Sequence, residues 1–387
     1  MLIKIIRTTT IPISLAILLK GQLKYLSNFY EVIALSSPGE YLEKIKIQEG
    51  VKVVSVSMKR NISIFHDFIS LFKFFIIFKK EKPQIVHSIT PKAGFLSMCA
   101  AYLASIPIRI HTFTGLIFPS KQGFLKNILI MADKILCKCA TNIYAEGQGV
   151  RDDLLKYNIT KKYIKIIGNG NINGIDPDYY NASNYTEKHK NILKKKYNIS
   201  AKDFIFVYVG RLVKDKGINE LVSAFLLITK KYPQCKLLLV GPYEKEFDPL
   251  LPEIETEIRT NQKIIATGFK NDVRPYLAVS NVFVFPSYRE GFPNSVLQAA
   301  AMGLPSIVSN INGCNEIIIN NFNGLIIPPR NINRLVEKMI LLIENDSLRN
   351  NLSANARESI ITRYDQNTLW KLIKEEYDNL IKTTLNN

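Results

Sequence analysis

The stretch Tyr288–Pro305, YREGFPNSVLQAAAMGLP, follows directly on the apolar run Val282-Phe283-Val284-Phe285-Pro286. The run reads as a buried parallel strand, and Ser295–Met302 reads as a helix closed by Gly303 and Pro305. Strand, loop and helix start in that order turn backbone N–H groups and the positive end of a helix dipole toward the edge of a sheet, a seat for phosphate. Glu290 stands beside that seat. A carboxylate next to a phosphate site points to one ligand carrying both a diphosphate and hydroxyl groups.

The same alternation of β-rich and helical runs fills the chain. Strands are expected at Leu2–Ile6, Tyr30–Leu35, Val51–Val56, Ile85–His87, Ile108–Phe113, Ile143–Tyr144 and Ile164–Ile167. After a polar region, Asn181 to Lys202, they resume at Phe204–Val209, Lys236–Val240, Ile264–Gly268, Val282–Phe285, Ser306–Val308 and Leu325–Ile327. Such alternation makes parallel sheets covered by helices, and the restart makes two α/β domains joined near residues 168–182. Ligands of such sheets bind at the carboxyl ends of the strands, so a cleft between two facing domains is expected. The domains are read as 1–170 and 171–364. A last helix, 365–387, carries Leu369, Trp370, Ile373, Tyr377 and Leu380 on one side, and either closes the second domain or crosses back to the first.

With 387 residues, 47% of them hydrophobic, the chain buries a sizeable core. Its five cysteines, at 99, 137, 139, 235 and 314, lack the spacing of a redox pair or a zinc site and read as free thiols of a reducing compartment. The first residues, MLIKIIRTTTIPISLAILLKG, imitate a signal peptide, but the alternation of Leu2–Ile6 and the lack of a small-residue cleavage site favour a first strand and helix. No run of 18 uncharged apolar residues is present, which argues against a spanning helix. The net charge is +18, and residues 1–175 hold 24 Lys and Arg against 10 Asp and Glu, while the rest hold 27 against 23. A basic first half suits an anionic partner: nucleic acid, an acidic membrane surface or a phosphorylated substrate. Within it, Ile62–Lys80 places Phe65, Phe68, Ile69, Phe72, Phe75 and Ile76 at helical spacing beside Lys73, Lys79 and Lys80. Two readings stand: a helix resting on a membrane surface, or a helix covering the first sheet.

Gly210-Arg211-Leu212-Val213-Lys214-Asp215-Lys216-Gly217 follows the first strand of the second domain. Arg211 and Lys216 lie on one strand-end loop, a pair suited to clamping a diphosphate, the one by a planar fork and the other as a point charge.

Three separated motifs, GRLVKDKGI (210–218), PSYREGFPNSVLQAAAMGLPSIV (286–308) and NGCNEII with NFNGLIIPP (312–318 and 321–329), resemble the retaining nucleotide-sugar glycosyltransferases of family 4, which have the GT-B fold of two Rossmann-like domains. TTTIPISLAILLKGQLKYLS (8–27), VHSITPKAG (86–94) and IGNGNINGID (167–176) resemble the branch that builds bacterial capsule and O-antigen polysaccharide, so the likeness covers nearly the whole chain. The resemblance implies that Arg211 and Lys216 hold and neutralise the donor's diphosphate, and that Glu290 hydrogen-bonds the donor sugar. It implies further that Gly291, Phe292 and the N–H groups near Asn294 and Ser295 form the phosphate seat, and that Gly268 and Phe269 flank the base. No metal is implied, because the basic pair replaces it. The family pattern has a second glutamate seven residues after the first, where this chain has Gln298, still able to bind ribose with altered geometry. Relatives often carry a histidine at the position of Thr114, while His111 sits three residues earlier; one of the two takes the acceptor side, with Gly21, Lys92 and Gly94 as further acceptor candidates. Asp176-Pro177-Asp178 imitates a D-x-D metal motif, but no strand runs into it.

The resemblance thus implies a cytoplasmic, membrane-associated enzyme that moves a hexosyl or N-acetylhexosaminyl group, from UDP rather than GDP, onto a polyprenyl-diphosphate-linked saccharide at the inner leaflet, without nucleic acid. Two alternatives are a sugar-nucleotide epimerase of the same fold and a basic module binding nucleic acid or membrane.

Overall fold

A parallel strand covered on both sides needs apolar residues at successive positions. All thirteen runs that have them are strands, their ends moved by at most two residues. The computed structural model describes residues 2–59, 61, 63–244, 246 and 248–385. One sheet is formed by β1 (Lys4–Thr8), β2 (Glu31–Ser36), β3 (Lys52–Ser55), β4 (Ile85–Ser88), β5 (Ile108–Phe113), β6 (Asn142–Ala145) and β7 (Ile164–Lys165), in the order β3-β2-β1-β4-β5-β6-β7. The other is formed by β8 (Phe204–Val209), β9 (Cys235–Val240), β10 (Ile264–Gly268), β11 (Val282–Phe285), β12 (Ser306–Ser309) and β13 (Gly324–Ile327), in the order β10-β9-β8-β11-β12-β13. Each named strand pairs in parallel with its neighbours. Strand order reverses once in each sheet, between β1 and β4 and between β8 and β11. At such a reversal the connections depart to opposite sides and leave a crevice at the carboxyl ends.

The contacts divide the chain into Met1–Gly174 with Gln366–Asn387, and Ile175–Asp365. The chain enters the second unit at Ile175 and leaves it at Asp365, where the Ile175 N–H donates to the Tyr364 carbonyl at 2.8 Å. The helix Gln366–Leu385 then packs on the first unit. Neighbouring residues of β1 feed opposite layers there: Ile6 packs with Phe74, Phe78 and Leu96, and Ile5 with Leu15, Leu23, Leu369 and Ile373.

Polar contacts hold the last helix alongside the apolar ones. Tyr377, fully buried, accepts from Arg7 NH1 at 2.9 Å and lies 2.6 Å from His87 Nδ1. The Trp370 Nε1–H donates to Asn173 Oδ1 at 2.9 Å, and Glu376 binds the Tyr144 hydroxyl at 2.7 Å and the Lys165 ammonium.

The Phe-rich helix spans Ile64–Glu81; Ile62, where the sequence places its start, lies outside the described residues. It buries Ser70, Phe74 and Phe78 and leaves Phe65, Phe68 and Phe72 at 74%, 71% and 57% exposure, with Ile69 and Ile76 also exposed. Of the residues singled out in the sequence, all but Phe75, which packs partly buried against the core, point outward, while a second stripe covers the sheet. Helix Gly123–Cys139 repeats the pattern, burying Leu136 and Cys137 and exposing Phe124, Leu125, Ile128 and Met131. Both pack against helix Pro91–Leu103. Among the described residues no helix is long and apolar enough to cross a membrane.

Removing one hydroxyl checks the anchoring of the last helix. Tyr377→Phe strips a partner from both Arg7 and His87 and is expected to cost about 1–3 kcal/mol, read as a lower urea midpoint with an unchanged slope.

Candidate active site

The reversal between β8 and β11 gathers the second unit's chemistry. β8 ends at Val209 and releases the loop of Arg211 and Lys216; β11 ends at Phe285 and releases the loop of Glu290. Lys216 Nζ lies 2.5 Å from Glu290 Oε1, with the two side chains 14% and 15% exposed. Ser287 Oγ, fully buried, donates to the same carboxylate oxygen at 2.9 Å. The two loops are also stitched through the backbone, since the Tyr288 N–H donates to the Asp215 carbonyl at 2.9 Å. The Asp215 N–H in turn donates to Asp248 Oδ2 at 2.6 Å, and Arg289 pairs with the Asp215 carboxylate at 3.0 Å. Glu290 is thus held from two sides before any ligand arrives.

Arg211 lies further out, 44% exposed, and its NH1 meets Glu244 Oε2 at 2.5 Å. Burial works against the guanidinium's charge, but the Glu244 hydrogen bond and charge outweigh it and the pKa moves up. The Tyr208 hydroxyl donates to the Arg211 carbonyl at 3.0 Å; burial and then the Glu290 charge keep this phenol protonated. Cys314 is likewise an inert thiol, raised by burial and by Glu290.

The helix behind Glu290 spans Asn294–Ala301, with Pro293 as N-cap and no side chain capping it. Asn294, Ser295 and Gln298 are its partly exposed positions, whereas Val296, Leu297, Ala299, Ala300 and Ala301 are buried. The spacing i, i+1, i+4 puts those three on one side. Gly291 and Phe292 are buried, and the Phe292 ring packs edge-on against Tyr364 at 5.5 Å, so the backbone is what it presents to a ligand. Gly268 ends β10 at φ +69°, and Phe269 follows with its ring 49% exposed. Sequence reading missed Ser287, Tyr208 and Glu244. A small hydroxyl directly after a buried strand and three residues before Glu290 was the available signal for the first; for Glu244 there was none, because β9 brings it from elsewhere in the chain.

The first unit treats its candidates differently. His111 lies within β5, 1% exposed, with Nδ1 2.8 Å from Ser88 Oγ and its ring against Phe113. A Cβ on Gly94 would come within 2.4 Å of the His111 ring, so glycine there makes room for the histidine. A Cβ on Gly21 would come within 2.7 Å of Trp370, and the Gly21 N–H is taken by Glu49 at 2.7 Å. Lys92 pairs with Asp67 at 2.7 Å. Thr114, partly exposed at the end of β5, donates to the Ile89 carbonyl at 2.9 Å and is the strand-end hydroxyl of the group. In Asp176-Pro177-Asp178 the Asp176 carboxylate accepts N–H bonds from Asp178 and Tyr179 at 3.0 and 2.9 Å, which is a turn.

Burial pushes the His111 pKa down to about 3. The unfolded chain takes up a proton on this residue near pH 6.5 that the folded chain refuses, so its contribution is complete above that pH and drains away toward pH 3. His111→Asn is expected to flatten the acid side of the stability profile by up to about 1.4 kcal/mol per pH unit within that window, followed by urea midpoints from pH 8 to 4.

Comparison with known proteins shows the family of the chain. The model of glycosyl transferases group 1 matches residues 189–359, and that of Glycosyltransferase Family 4 matches residues 21–172. The chain is 33% identical to the capsular polysaccharide biosynthesis glycosyltransferase CapM of Staphylococcus aureus over 98% of both chains. It is 30% identical to the UDP-Gal:alpha-D-GlcNAc-diphosphoundecaprenol alpha-1,3-galactosyltransferase of Escherichia coli over 83% of this chain and 82% of that one. The fold matches that of Anabaena HepE with a TM-score of 0.80 at 17% identity, over 98% of this chain and 100% of that one. Sequence identity along the length of these relatives shows that the chain belongs to the family 4 glycosyltransferases, with the GT-B fold of two parallel sheets of reversed strand order, an enzyme of sugar transfer in the capsule and O-antigen group.

Proposed function

We propose that the enzyme moves a sugar from a UDP-sugar onto a polyprenyl-diphosphate-linked saccharide, with retention of configuration and without a metal ion. The observation that carries this reading is the Lys216–Glu290 pair, held at the strand-order reversal beside the helix start at Asn294. Lys216 meets the leaving diphosphate as the bond to the sugar breaks and negative charge grows on its oxygens. Arg211 adds a second cation, since Glu244 engages one of its five N–H donors. Fixed charges of this kind stabilise the developing anion without reorganising. Glu290, already oriented by Ser287, accepts from the sugar's hydroxyls, and the backbone at Asn294 and Ser295 faces the phosphate. The exposed Phe269 ring offers the base a stacking surface, and Gln298 binds ribose through one acceptor and one donor. The acceptor hydroxyl attacks from the side that the diphosphate leaves, and a diphosphate oxygen takes its proton. The uridine donor and lipid-diphosphate acceptor are supported by the Escherichia coli relative, which is a UDP-Gal:alpha-D-GlcNAc-diphosphoundecaprenol galactosyltransferase.

The acceptor falls to the first unit, with Thr114 at its strand ends. That unit rests on the inner leaflet of the cytoplasmic membrane through Phe65, Phe68 and Phe72 of one helix and Phe124 and Met131 of another, all exposed. Lys73, Lys79 and Lys80 on the first helix, and Lys126 and Lys134 on the second, complement anionic headgroups.

A panel of UDP- and GDP-sugars with polyprenyl-diphosphate-linked saccharides tests the reaction. Wild type is expected to consume a UDP-sugar at a rate that EDTA leaves unchanged, while Lys216→Ala lowers kcat/KM by about 10²–10³ and Glu290→Ala by a similar factor. Failure to consume any donor, or wild-type rates from Glu290→Ala, would sink the reading. For the membrane, the double change Phe68→Asp and Phe72→Asp is expected to weaken co-sedimentation with anionic vesicles at least about tenfold. The melting temperature should stay put, because both rings are exposed.

A further inference from the structure

The reversal between β1 and β4 also has a constellation beneath it, to which the reaction proposed above assigns no role. Arg7 of β1 stands opposite His87 of β4 in the pairing register. Together with Thr112, Tyr144, Asn171 and Ile373 they line a cavity of about 20 Å³. One water needs roughly 10–15 Å³ on this measure, so the space suits a single water-sized or halide-sized particle and is too small for a phosphate.

Arg7 is 1% exposed. Its NH1 spends itself on two neutral acceptors, Gln22 Oε1 at 2.7 Å and the Tyr377 hydroxyl at 2.9 Å. Its Nε is buried with no hydrogen-bond partner, and among the described residues no carboxylate forms an ion pair with it. Arginine cannot shed its proton to escape this situation, and a buried charge without a counter-charge is strongly unfavourable. Its neighbours bring no negative charge: His87, held neutral by burial and then by Arg7, bonds Tyr377 and Thr112. Of the buried carboxylates Glu49, Glu146 and Glu376, the first binds the N–H groups of Gly21 and Lys24 and the last binds Tyr144 and Lys165, and none of the three forms an ion pair with Arg7.

We propose that this cavity is a site for one small monovalent anion of chloride size, with the Arg7 guanidinium as its cation. The ion lies under the strand-order reversal of the first sheet and supplies the charge that the surrounding side chains do not. It acts on the stability of the first unit and is independent of the donor site.

The full chain is melted at constant ionic strength while sodium gluconate is replaced stepwise by sodium chloride or sodium bromide. Wild type is expected to gain about 2 °C or more between 1 and 100 mM halide, and Arg7→Met to gain nothing. Identical melts of wild type in gluconate and chloride would overturn the proposal and leave Glu146, next in sequence to the cavity-lining Ala145, as the source of counter-charge; so would a gain that persists in Arg7→Met. Should that variant fail to fold, wild-type crystals in bromide decide the matter. An anomalous peak within hydrogen-bonding reach of Arg7 Nε supports the site, and its absence there refutes it.

Discussion

A parallel sheet has no side on which to expose a ligand except its ends, and that constraint governs this molecule. Where strand order reverses between β8 and β11, two loops leave in opposite directions and one gap opens. Lys216 comes from one loop and Glu290 from the other. Their 2.5 Å contact is accompanied by bonds from Ser287 Oγ to Glu290 and from the Tyr288 N–H to the Asp215 carbonyl that hold the two loops together. A charged pair this sheltered is weak evidence of stability, since desolvation offsets most of its attraction. What it secures is geometry: an ammonium and a carboxylate with fixed positions at the carboxyl ends of the strands.

The first unit obeys the same constraint with a different outcome. Its reversal is lined with buried polar groups, Arg7, His87, Thr112 and Tyr377, tied into one network by the last helix. Such networks are worth having when every member is satisfied and expensive when one is not. Histidine at His87 and His111 therefore reads as architecture, and Gly94 as the space one of those rings occupies.

Much of the fold was legible because strand runs buried on both sides leave an unmistakable trace, and all thirteen were visible. The placement of two loops was legible for a related reason: Arg211, Lys216 and Glu290 each stand just beyond such a run. Destinations set by packing were not. Whether Trp370 and Tyr377 would close the second unit or return to the first depends on which surface offers Gly21, Arg7 and His87, and nothing local to the helix states that. The Phe-rich helix left a like question open. Its periodicity shows two apolar stripes, and spacing alone does not say that Phe74 and Phe78 go inward while Phe68 and Phe72 stay outside. His111 could not be placed either, because a strand end displaced by a residue reverses the direction of its side chain.

The path of the chain, in through Ile175 and out through Asp365, sets an order of events during synthesis. The second unit is complete in sequence before the helix Gln366–Leu385 has emerged from the ribosome. Until then the earlier unit lacks Tyr377 and Glu376, so Arg7, His87 and Tyr144 wait without these partners through the translation of nearly two hundred intervening residues. Nascent chains of this topology mature their first-made half last, and loss of the helix Gln366–Leu385 damages the part that was translated first.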